Sequence, residues 1–297
     1  MLMNRLYSPD EGDMLYHYCS TSTFHAIASN ATIRHSDINM LNDALETRWA
    51  YSIFEEAATR LIKRVGVKED APEITVDFID SIDDILSPSQ LIAHPFISCF
   101  SLEPDILSQW RAYADDGSGF AVGFDARMIR AQIPATFLCV LYDKEQQIQE
   151  MMVALIVIYT TKMSLGEKWH GRFFIDCMLL AVFMTSLKHP TFAEEKEVRA
   201  VRVIDVEPHG NLLRFVDKGG KVNDNVKVEG TPVSFQVRDN HLSAYTDVPL
   251  CPAETETPLK KLILGPKNSS AHGNLQLFLG GLGYTDIEIG HSETSYR

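Results

Sequence analysis

Residues 96–124 of the chain read FISCFSLEPDILSQWRAYADDGSGFAVGF. The apolar and aromatic runs at its two ends, Phe96–Ser101 and Phe120–Phe124, are typical of buried strands. Between them, Asp105–Ala114 has the apolar spacing of a short helix, and a glycine turn follows it. The stretch therefore predicts two strands joined by a helix and a turn, which favours an α+β fold.

The same mixture continues on either side of this stretch. Further strands are predicted at Met14–Cys19, Thr32–Ser36, Phe137–Tyr142, Val198–Val206, Leu262–Leu264 and Ile287–Ile289, with a hairpin over Leu212–Val228. Further helices are predicted at Ser20–Asn30, Asn42–Val65, Leu275–Leu282 and over 145–188 with a break near Gly166. Because strands bracket the helices rather than alternating with them, we expect a mixed, mostly antiparallel central sheet with flanking helices. We predict one α+β domain over residues 1–297, with a helical insertion at about 145–190.

Composition and charge limit the classes of partner. The 297 residues are 45% hydrophobic and have a net charge of −13, which argues against a broad nucleic-acid surface, because phosphate contacts need basic groups. Residues 66–89 hold seven acidic residues against Lys68 alone, a net of −6. We interpret this acidic segment as a solvated, loosely packed helical face. A local basic pocket for one phosphate-bearing ligand is compatible with this charge.

The chain is expected to be cytoplasmic, without a membrane partner. No uninterrupted apolar run reaches the ~18 residues of a membrane helix, and the first residues lack the basic and apolar regions of a signal peptide. Scattered thiols fit a reduced state better than a disulfide scaffold, and they stand at Cys19, Cys99, Cys139, Cys177 and Cys251.

Common nucleotide and metal motifs are missing from the sequence. Gly117, Gly119 and Gly123 have the spacing GxGxxxG and precede a predicted strand, whereas a dinucleotide fingerprint opens a helix. There is no GxxxxGK[ST] loop, no HExxH, no CxxC pair and no GxSxG elbow. We therefore expect no metal cofactor, and neither zinc chemistry nor a hydrolase triad is indicated.

His17 is the first candidate for a functional residue. Side chains alternate along a strand, so His17 points opposite to Tyr16 and Tyr18, toward a cleft or toward solvent. The alternative is an ordinary surface or internally hydrogen-bonded histidine.

Two serines and two aromatic residues form the second candidate group. Ser98 and Ser101 lie on opposite faces of their predicted strand, and Trp110 and Tyr113 share one side of the next helix. An aromatic ledge beside strand hydroxyls suits a planar ring and a ribose. The alternative is ordinary core aromatics and a glycine turn.

Two glutamates form the third candidate group. Glu195 and Glu197 enter a predicted strand two residues apart and so face the same side. Together they can hold one ribose hydroxyl and place negative charge near a developing cation. The alternative is a charged, solvent-facing strand edge.

We interpret Asn42–Glu46 as the start of a helix rather than as part of a functional site. Asp43 stands three residues before Glu46, which is the spacing of a capping box at a helix start.

The ordered combination of these motifs resembles a large bacterial and phage family of uncharacterised domains. The marks of that family are a Tyr-x-Tyr strand, an ND-x-x-E helix start, CFS followed by W-x-x-YA and a glycine turn, and a late E-K-E-(V/W)-R. In this chain they stand at Tyr16–Tyr18, Asn42–Glu46, Cys99–Ser101, Trp110–Ala114 and Glu195–Arg199. Leu264–Pro266 and Ser292–Arg297 also look family-like, so the resemblance spans nearly the whole chain.

In order, the three candidate groups are similar to the ADP-ribosyltransferase fold, which has a His or Arg on a first strand, a serine-rich second strand and a late E-x-E. This resemblance implies NAD as the substrate, Glu197 as the catalytic glutamate and Glu195 as the upstream partner that helps to choose the acceptor. It implies that His17 supports the adenosine-side ribose and Ser101 the nicotinamide-side ribose, the remaining cofactor-binding candidates being Ser98, Trp110 and Tyr113. The second strand reads Ser-Cys-Phe-Ser rather than Ser-Thr-Ser, and the first has His17 where arginine-modifying members carry Arg, so the substrate class does not transfer.

The sequence thus predicts an NAD-dependent ADP-ribosyltransferase-like enzyme of defence or toxin type, in which Glu197 stabilises an oxocarbenium-like transition state. The acceptor would be a protein side chain, a nucleic-acid base or water. One alternative is a non-catalytic nucleotide-binding or sensing module. Another is an interaction protein of a defence or toxin–antitoxin system, partnered by an antitoxin or a neighbour-encoded protein.

Overall fold

The structure is a computed structural model that describes residues 2–38, 44–166, 170–222, 226–238, 240–251 and 256–296. The strands are β1 (Met14–Cys19), β2 (Thr32–Asp37), β3 (Ala93–Ser101), β4 (Phe120–Asp125), β5 (Thr136–Cys139), β6 (Glu197–His209), β7 (Leu212–Val216), β8 (Gly220–Val222), β9 (Val226–Val228), β10 (Val233–Arg238), β11 (His241–Pro249), β12 (Leu259–Leu264) and β13 (Glu288–His291). The helices are α1 (Leu2–Arg5), α2 (Thr21–Asn30), α3 (Ala44–Ile62), α4 (Val76–Leu86), α5 (Leu107–Tyr113), α6 (Ala126–Gln132), α7 (Lys144–Leu165), α8 (His170–Met184) and α9 (His272–Gly281).

The central sheet is 11-stranded and organised around β3. One edge of β3 pairs with β6 along the whole of β3. The other edge pairs with β2 in the middle of β3, at Phe96 and Ile97, and with β1 at its end, at Ser101. From β2 the sheet continues through β11 to β10, and from β1 through β4 and β12 to β13. Among the described strands, β12 and β13 form the one parallel pair. The fold is therefore α+β with a mixed, mostly antiparallel sheet, as predicted.

The strand register assigns the candidate residues to two faces. Tyr16 lies opposite Ser101, and Ser101 lies opposite Glu197, so their side chains share one face, which we call the carboxylate face. His17 alternates with Tyr16 and packs its ring against Phe100, with the ring centroids 5.8 Å apart, on what we call the opposite face. The largest apolar core covers that opposite face and includes Leu15, Phe100, Phe124, Val198 and Leu262.

The helices between the strands form a second core. Apolar side chains of α3, α4, α7 and α8 pack together, among them Ile53, Phe78, Leu155 and Leu180. Helix α7 ends at Leu165 and is followed by Gly166 at φ 52, so the helical break lies where the sequence predicts it. Both α7 and α8 fall within the predicted helical insertion.

The acidic segment 66–89 is packed more tightly than we expected. Its helix α4 buries Phe78, Ile79, Ile82 and Leu86, while Asp77, Asp80 and Asp84 are exposed. The prediction of a solvated acidic face is confirmed, and the prediction of loose packing is wrong, because every third or fourth residue of the segment is a large apolar one.

The chain between Leu212 and Val228 differs from the predicted hairpin. Strand β7 pairs with β6, and β8 pairs with β9 in a separate two-stranded sheet. The two following strands, β10 and β11, were not predicted, because their outward side chains blur the alternation of polar and apolar residues. Asn42 and Asp43, which we assigned to a helix start, lie outside the described residues.

Within the described part of the chain, α7 is the one helix long and apolar enough to cross a membrane, by length and composition. Core helices of soluble proteins pass the same test, and α7 packs Met151, Leu155 and Ile158 into the helical core.

Candidate functional site

Three carboxylates and two cations meet on the carboxylate face. Glu46, Lys188, Glu195, Glu197 and Arg199 are joined by direct ion pairs, and we call them the ionic cluster. Their side chains are almost inaccessible, from 2% exposed for Arg199 to 13% for Glu46. Charged groups are buried in this way only when they are paired, so each member depends on the others.

Lys188 lies at the centre of the ionic cluster. Its Nζ is 2.5 Å from Glu195 Oε2, 3.0 Å from Glu197 Oε2 and 3.2 Å from Glu46 Oε1. The three donor hydrogens of one ammonium group thus have one carboxylate each.

Arg199 joins two of the same carboxylates from the other side. Its Nε and Nη2 donate to Glu197 at 2.7 and 3.0 Å, and Nη2 also donates to Glu46 Oε2 at 2.8 Å. Its Nη1 donates to the carbonyl oxygen of Thr185 at 2.8 Å. Every guanidinium nitrogen therefore has an acceptor within the protein.

Local chain geometry brings the two glutamates of the sequence motif together. Glu197 and Arg199 are two residues apart on β6 and so share a face. We predicted that Glu195 enters a strand, but in the structure it ends a 3₁₀ turn over Pro190–Glu195. Lys196, at φ 44, then turns the chain into β6, and this turn directs both carboxylates to Lys188.

The environments of the two glutamates separate their pKa values. Burial acts to raise the pKa of Glu197, but Arg199 and Lys188 outweigh burial and hold it at about 2. Burial and the charge of Glu197 raise the pKa of Glu195 above its ordinary value, although Lys188 opposes the rise. Three carboxylates against two cations leave the ionic cluster as a whole with one negative charge in excess.

Two of the predicted residues contact Glu195. The hydroxyl of Tyr113 lies 3.4 Å from Glu195 Oε1, and the tyrosine side chain is 45% exposed, at the edge of the site. Ser101 Oγ donates to the carbonyl oxygen of Glu195 at 2.8 Å. Ser101 therefore fixes the turn before β6, and its hydroxyl is already used in doing so.

Trp110 is buried in the core below Tyr113. Its Nε1 donates to Asp105 Oδ1 at 2.6 Å, and its ring meets the ring of Tyr18 edge-on at 4.8 Å between centroids. With no exposed surface, Trp110 supports α5 rather than forming a ledge for a ligand.

His17 and Ser98 are not brought to the ionic cluster. His17 Nδ1 lies 2.9 Å from the carbonyl oxygen of Cys99, so this nitrogen bears the proton, and burial lowers the pKa of the ring. Ser98 follows β3 on the opposite face, where it is buried and its hydroxyl has no hydrogen-bond partner within the described residues. The structure thus separates the residues assigned to the two riboses of NAD.

Three members of the ionic cluster, Glu46, Lys188 and Arg199, were not among the predicted site residues. Arg199 stood in the E-K-E-(V/W)-R motif, but we assigned it no role. We interpreted Glu46 as part of a helix cap, but its carboxylate bonds to Lys188 and Arg199. Its place in the ND-x-x-E motif was the available signal. The sequence signal for Lys188 was weaker, since it is simply a single cation after the long apolar run of α8.

An apolar cavity opens beside the ionic cluster. It has a volume of about 130 Å³, and its two charged lining residues, Glu46 and Arg199, are hydrogen-bonded to each other and form its polar end. Its walls are formed mainly by apolar side chains, including Ala50, Leu86, Met178, Ala181, Val182 and Val203. This size suits the ring system of a small aromatic molecule, since an apolar cavity of about 150 Å³ is large enough to bind benzene. For a metal ion, the described residues offer no suitable group of three His, Cys, Asp or Glu side chains.

Four of the five members of the ionic cluster, all except Glu46, lie with most of α5 in one segment that is similar to a known family. Residues 109–200 match the model of a family described as a protein of unknown function, DUF2971. The match covers 92 of the 297 residues and includes Tyr113, Lys188, Glu195 and Glu197. No curated protein and no solved structure matches the chain. The match supports an uncharacterised domain family and names no activity.

Proposed function

We propose that the chain is an enzyme that cleaves the bond between nicotinamide and ribose in NAD and transfers the ADP-ribosyl group to an acceptor. The observation that supports this best is the pair Glu195 and Glu197, which share Lys188 but differ in the direction of their pKa shifts. Paired carboxylates with separated pKa values are suited to two different roles, one as a fixed anion and one in proton transfer.

Glu197 would be the fixed anion. Its pKa of about 2 keeps it ionised at every physiological pH. Departure of nicotinamide leaves positive charge on the ribose, and a preorganised carboxylate stabilises that charge more in the transition state than in the ground state. The uncompensated negative charge of the ionic cluster adds to this preference for a cation.

Glu195 would accept the proton of the acceptor. Its raised pKa makes it a stronger base than an ordinary glutamate. The leaving nicotinamide takes the electrons of the broken C–N bond, the acceptor oxygen or nitrogen bonds to the ribose carbon, and the acceptor proton moves to Glu195. The half-exposed ring of Tyr113 lies beside this carboxylate and would contact the substrate.

The roles implied for His17, Ser98 and Trp110 are not part of this proposal. His17 and Ser98 belong to the opposite face, and Trp110 has no exposed surface. The adenosine half of NAD would therefore need contacts that the sequence did not indicate.

The test is nicotinamide release from NAD by the purified protein, with and without cell lysate as a source of acceptors. Wild type is compared with Glu195→Gln and Glu197→Gln, and we expect each variant to lose about 100-fold or more of the rate. Glu194→Gln is the matched control, since Glu194 is the exposed neighbour of Glu195. Absence of release by wild type, or an undiminished rate in Glu197→Gln, would refute the proposal.

A second candidate function is nucleotide binding without chemistry. It is favoured by the contacts of Glu197, because both of its carboxylate oxygens already accept hydrogen bonds from Arg199. A protein of this kind would bind NAD or a related nucleotide and return it unchanged in the same experiment. An antitoxin, a neighbour-encoded partner and a role in phage defence remain predictions of the sequence.

A further inference from the structure

The cavity beside the ionic cluster has walls that suit an apolar body. Leu86 closes it from α4, Met178, Ala181 and Val182 from α8, and Val203 from the sheet. Three hydroxyls of the lining are already engaged, as Tyr51 donates to Asp83, Ser89 to the carbonyl oxygen of Leu86 and Thr185 to the carbonyl oxygen of Val182. A ligand would therefore gain little from polar groups along its length.

The polar end of the cavity offers an acceptor rather than a donor. Arg199 has all three nitrogens engaged with Glu197, Glu46 and the carbonyl oxygen of Thr185. Glu46 is the most exposed member of the ionic cluster, and among the described residues each of its oxygens has one cationic partner, so it can accept further hydrogen bonds. The polar end of the cavity therefore suits a ligand group that donates hydrogen bonds.

The charge of the ionic cluster decides what kind of donor is favoured. Three carboxylates face two cations, so a ligand that brings one positive charge neutralises the cluster, whereas an anion adds to the excess. We propose that this cavity binds a small amphipathic amine, with its apolar or aromatic body between α4 and α8 and its ammonium group at Glu46. This site does not depend on the NAD chemistry proposed above.

Three probes with one ring system and different head groups test the proposal. Tryptamine has an ammonium group, 3-ethylindole has no polar head group and indole-3-propionate has a carboxylate. Their binding to the full chain is measured by calorimetry. We expect tryptamine to bind about tenfold more tightly than 3-ethylindole, and indole-3-propionate to bind most weakly. Equal binding of the three probes, or no binding of tryptamine at millimolar concentration, would overturn the proposal.

Two variants and one control variant test whether the amine binds in this cavity. Ala181→Trp fills the cavity from α8 and should abolish tryptamine binding, whereas Ala112→Trp adds the same ring at an exposed position of α5 and should not. Glu46→Gln should remove the preference for tryptamine over 3-ethylindole and leave binding of the neutral probe in place. Unchanged tryptamine binding by Ala181→Trp would place the amine elsewhere and contradict the proposal. Nicotinamide release is a separate readout, so amine binding and NAD cleavage fail or succeed independently.

Discussion

Arg199 makes the difference between two glutamates that are neighbours in the sequence. It donates two hydrogen bonds to Glu197, so Glu197 is held as an anion, whereas the carboxylate of Glu195 accepts hydrogen bonds from Lys188 and Tyr113. The same sequence motif therefore gives two carboxylates of opposite character. Their effects on stability should differ in sign.

Glu197→Gln should lower the stability of the protein at neutral pH. A carboxyl whose pKa falls from 4.5 to about 2 on folding contributes about 3 kcal/mol above pH 4.5, and that contribution is lost as the pH falls from 4.5 toward 2. The measurement is the free energy of urea unfolding of wild type and variant at pH 7 and at pH 3. Equal losses at the two pH values would contradict this assignment of charge.

Glu195→Gln should have the opposite effect in the same measurement. Because the pKa of Glu195 is raised on folding, its ionised form is disfavoured in the folded protein, and the penalty grows as the pH rises from 4.5 through the raised pKa. The variant should therefore match wild type at pH 3 and equal or exceed its stability at pH 7. Glu194→Gln serves as the reference, and a variant clearly less stable than this reference at pH 7 would refute the prediction.

At the scale of elements, the sequence was most informative where one pattern continued over several residues. The bounds of β1, the apolar periodicity of α3 and the long helical stretch that includes α7 follow from short-range rules that depend on neighbouring residues. Glu195 shows the limit of such rules, because strand alternation assigned it to a strand, whereas the left-handed backbone at Lys196 ends a 3₁₀ turn there. The carboxylate of Glu195 still lies beside that of Glu197, because the turn at Lys196 directs both to Lys188, and the spacing did not indicate that turn.

Helix α4 shows how one cap organises the acidic segment. Thr75 precedes the helix, and its Oγ1 accepts a hydrogen bond from the backbone N–H of Phe78. Thr75→Ala should lower the free energy of unfolding by about 1 kcal/mol, whereas Thr75→Ser keeps the acceptor and should cost much less. Urea unfolding of the three proteins checks this. Equal stability of the alanine and serine variants would show that the cap does not hold α4.

At the scale of the whole molecule, the ionic cluster is assembled from distant parts of the chain. Glu46, Lys188 and Glu197 come from α3, the turn after α8 and the start of β6. The motif around Glu195 was visible in the sequence, but no spacing rule connects it with Glu46, which lies about half the chain away. What the sequence did show was Glu197 and Arg199 among the apolar residues at the start of β6, and buried charges require partners.

The last described residues are tied to α5 by one aspartate. Asp105 accepts hydrogen bonds from Trp110 Nε1, from Ser292 Oγ and from the N–H and hydroxyl groups of Thr294. Asp105→Ala should therefore lower the free energy of unfolding by about 3 kcal/mol and expose residues 292–296 to protease. Asp80→Ala, at an exposed position of α4, is the control. If the segment stays resistant to protease in the Asp105 variant, other contacts hold it.

The long pairing of β3 with β6 has a consequence for the order of folding. The two strands are separated in sequence by α5, β4, α6, β5, α7 and α8, so their association closes a loop of nearly a hundred residues. The helices α7 and α8 are local and form faster than such a pairing. A chain caught partway through folding would thus have its helices but not the paired glutamates, so binding and catalysis would report only on molecules that have folded completely.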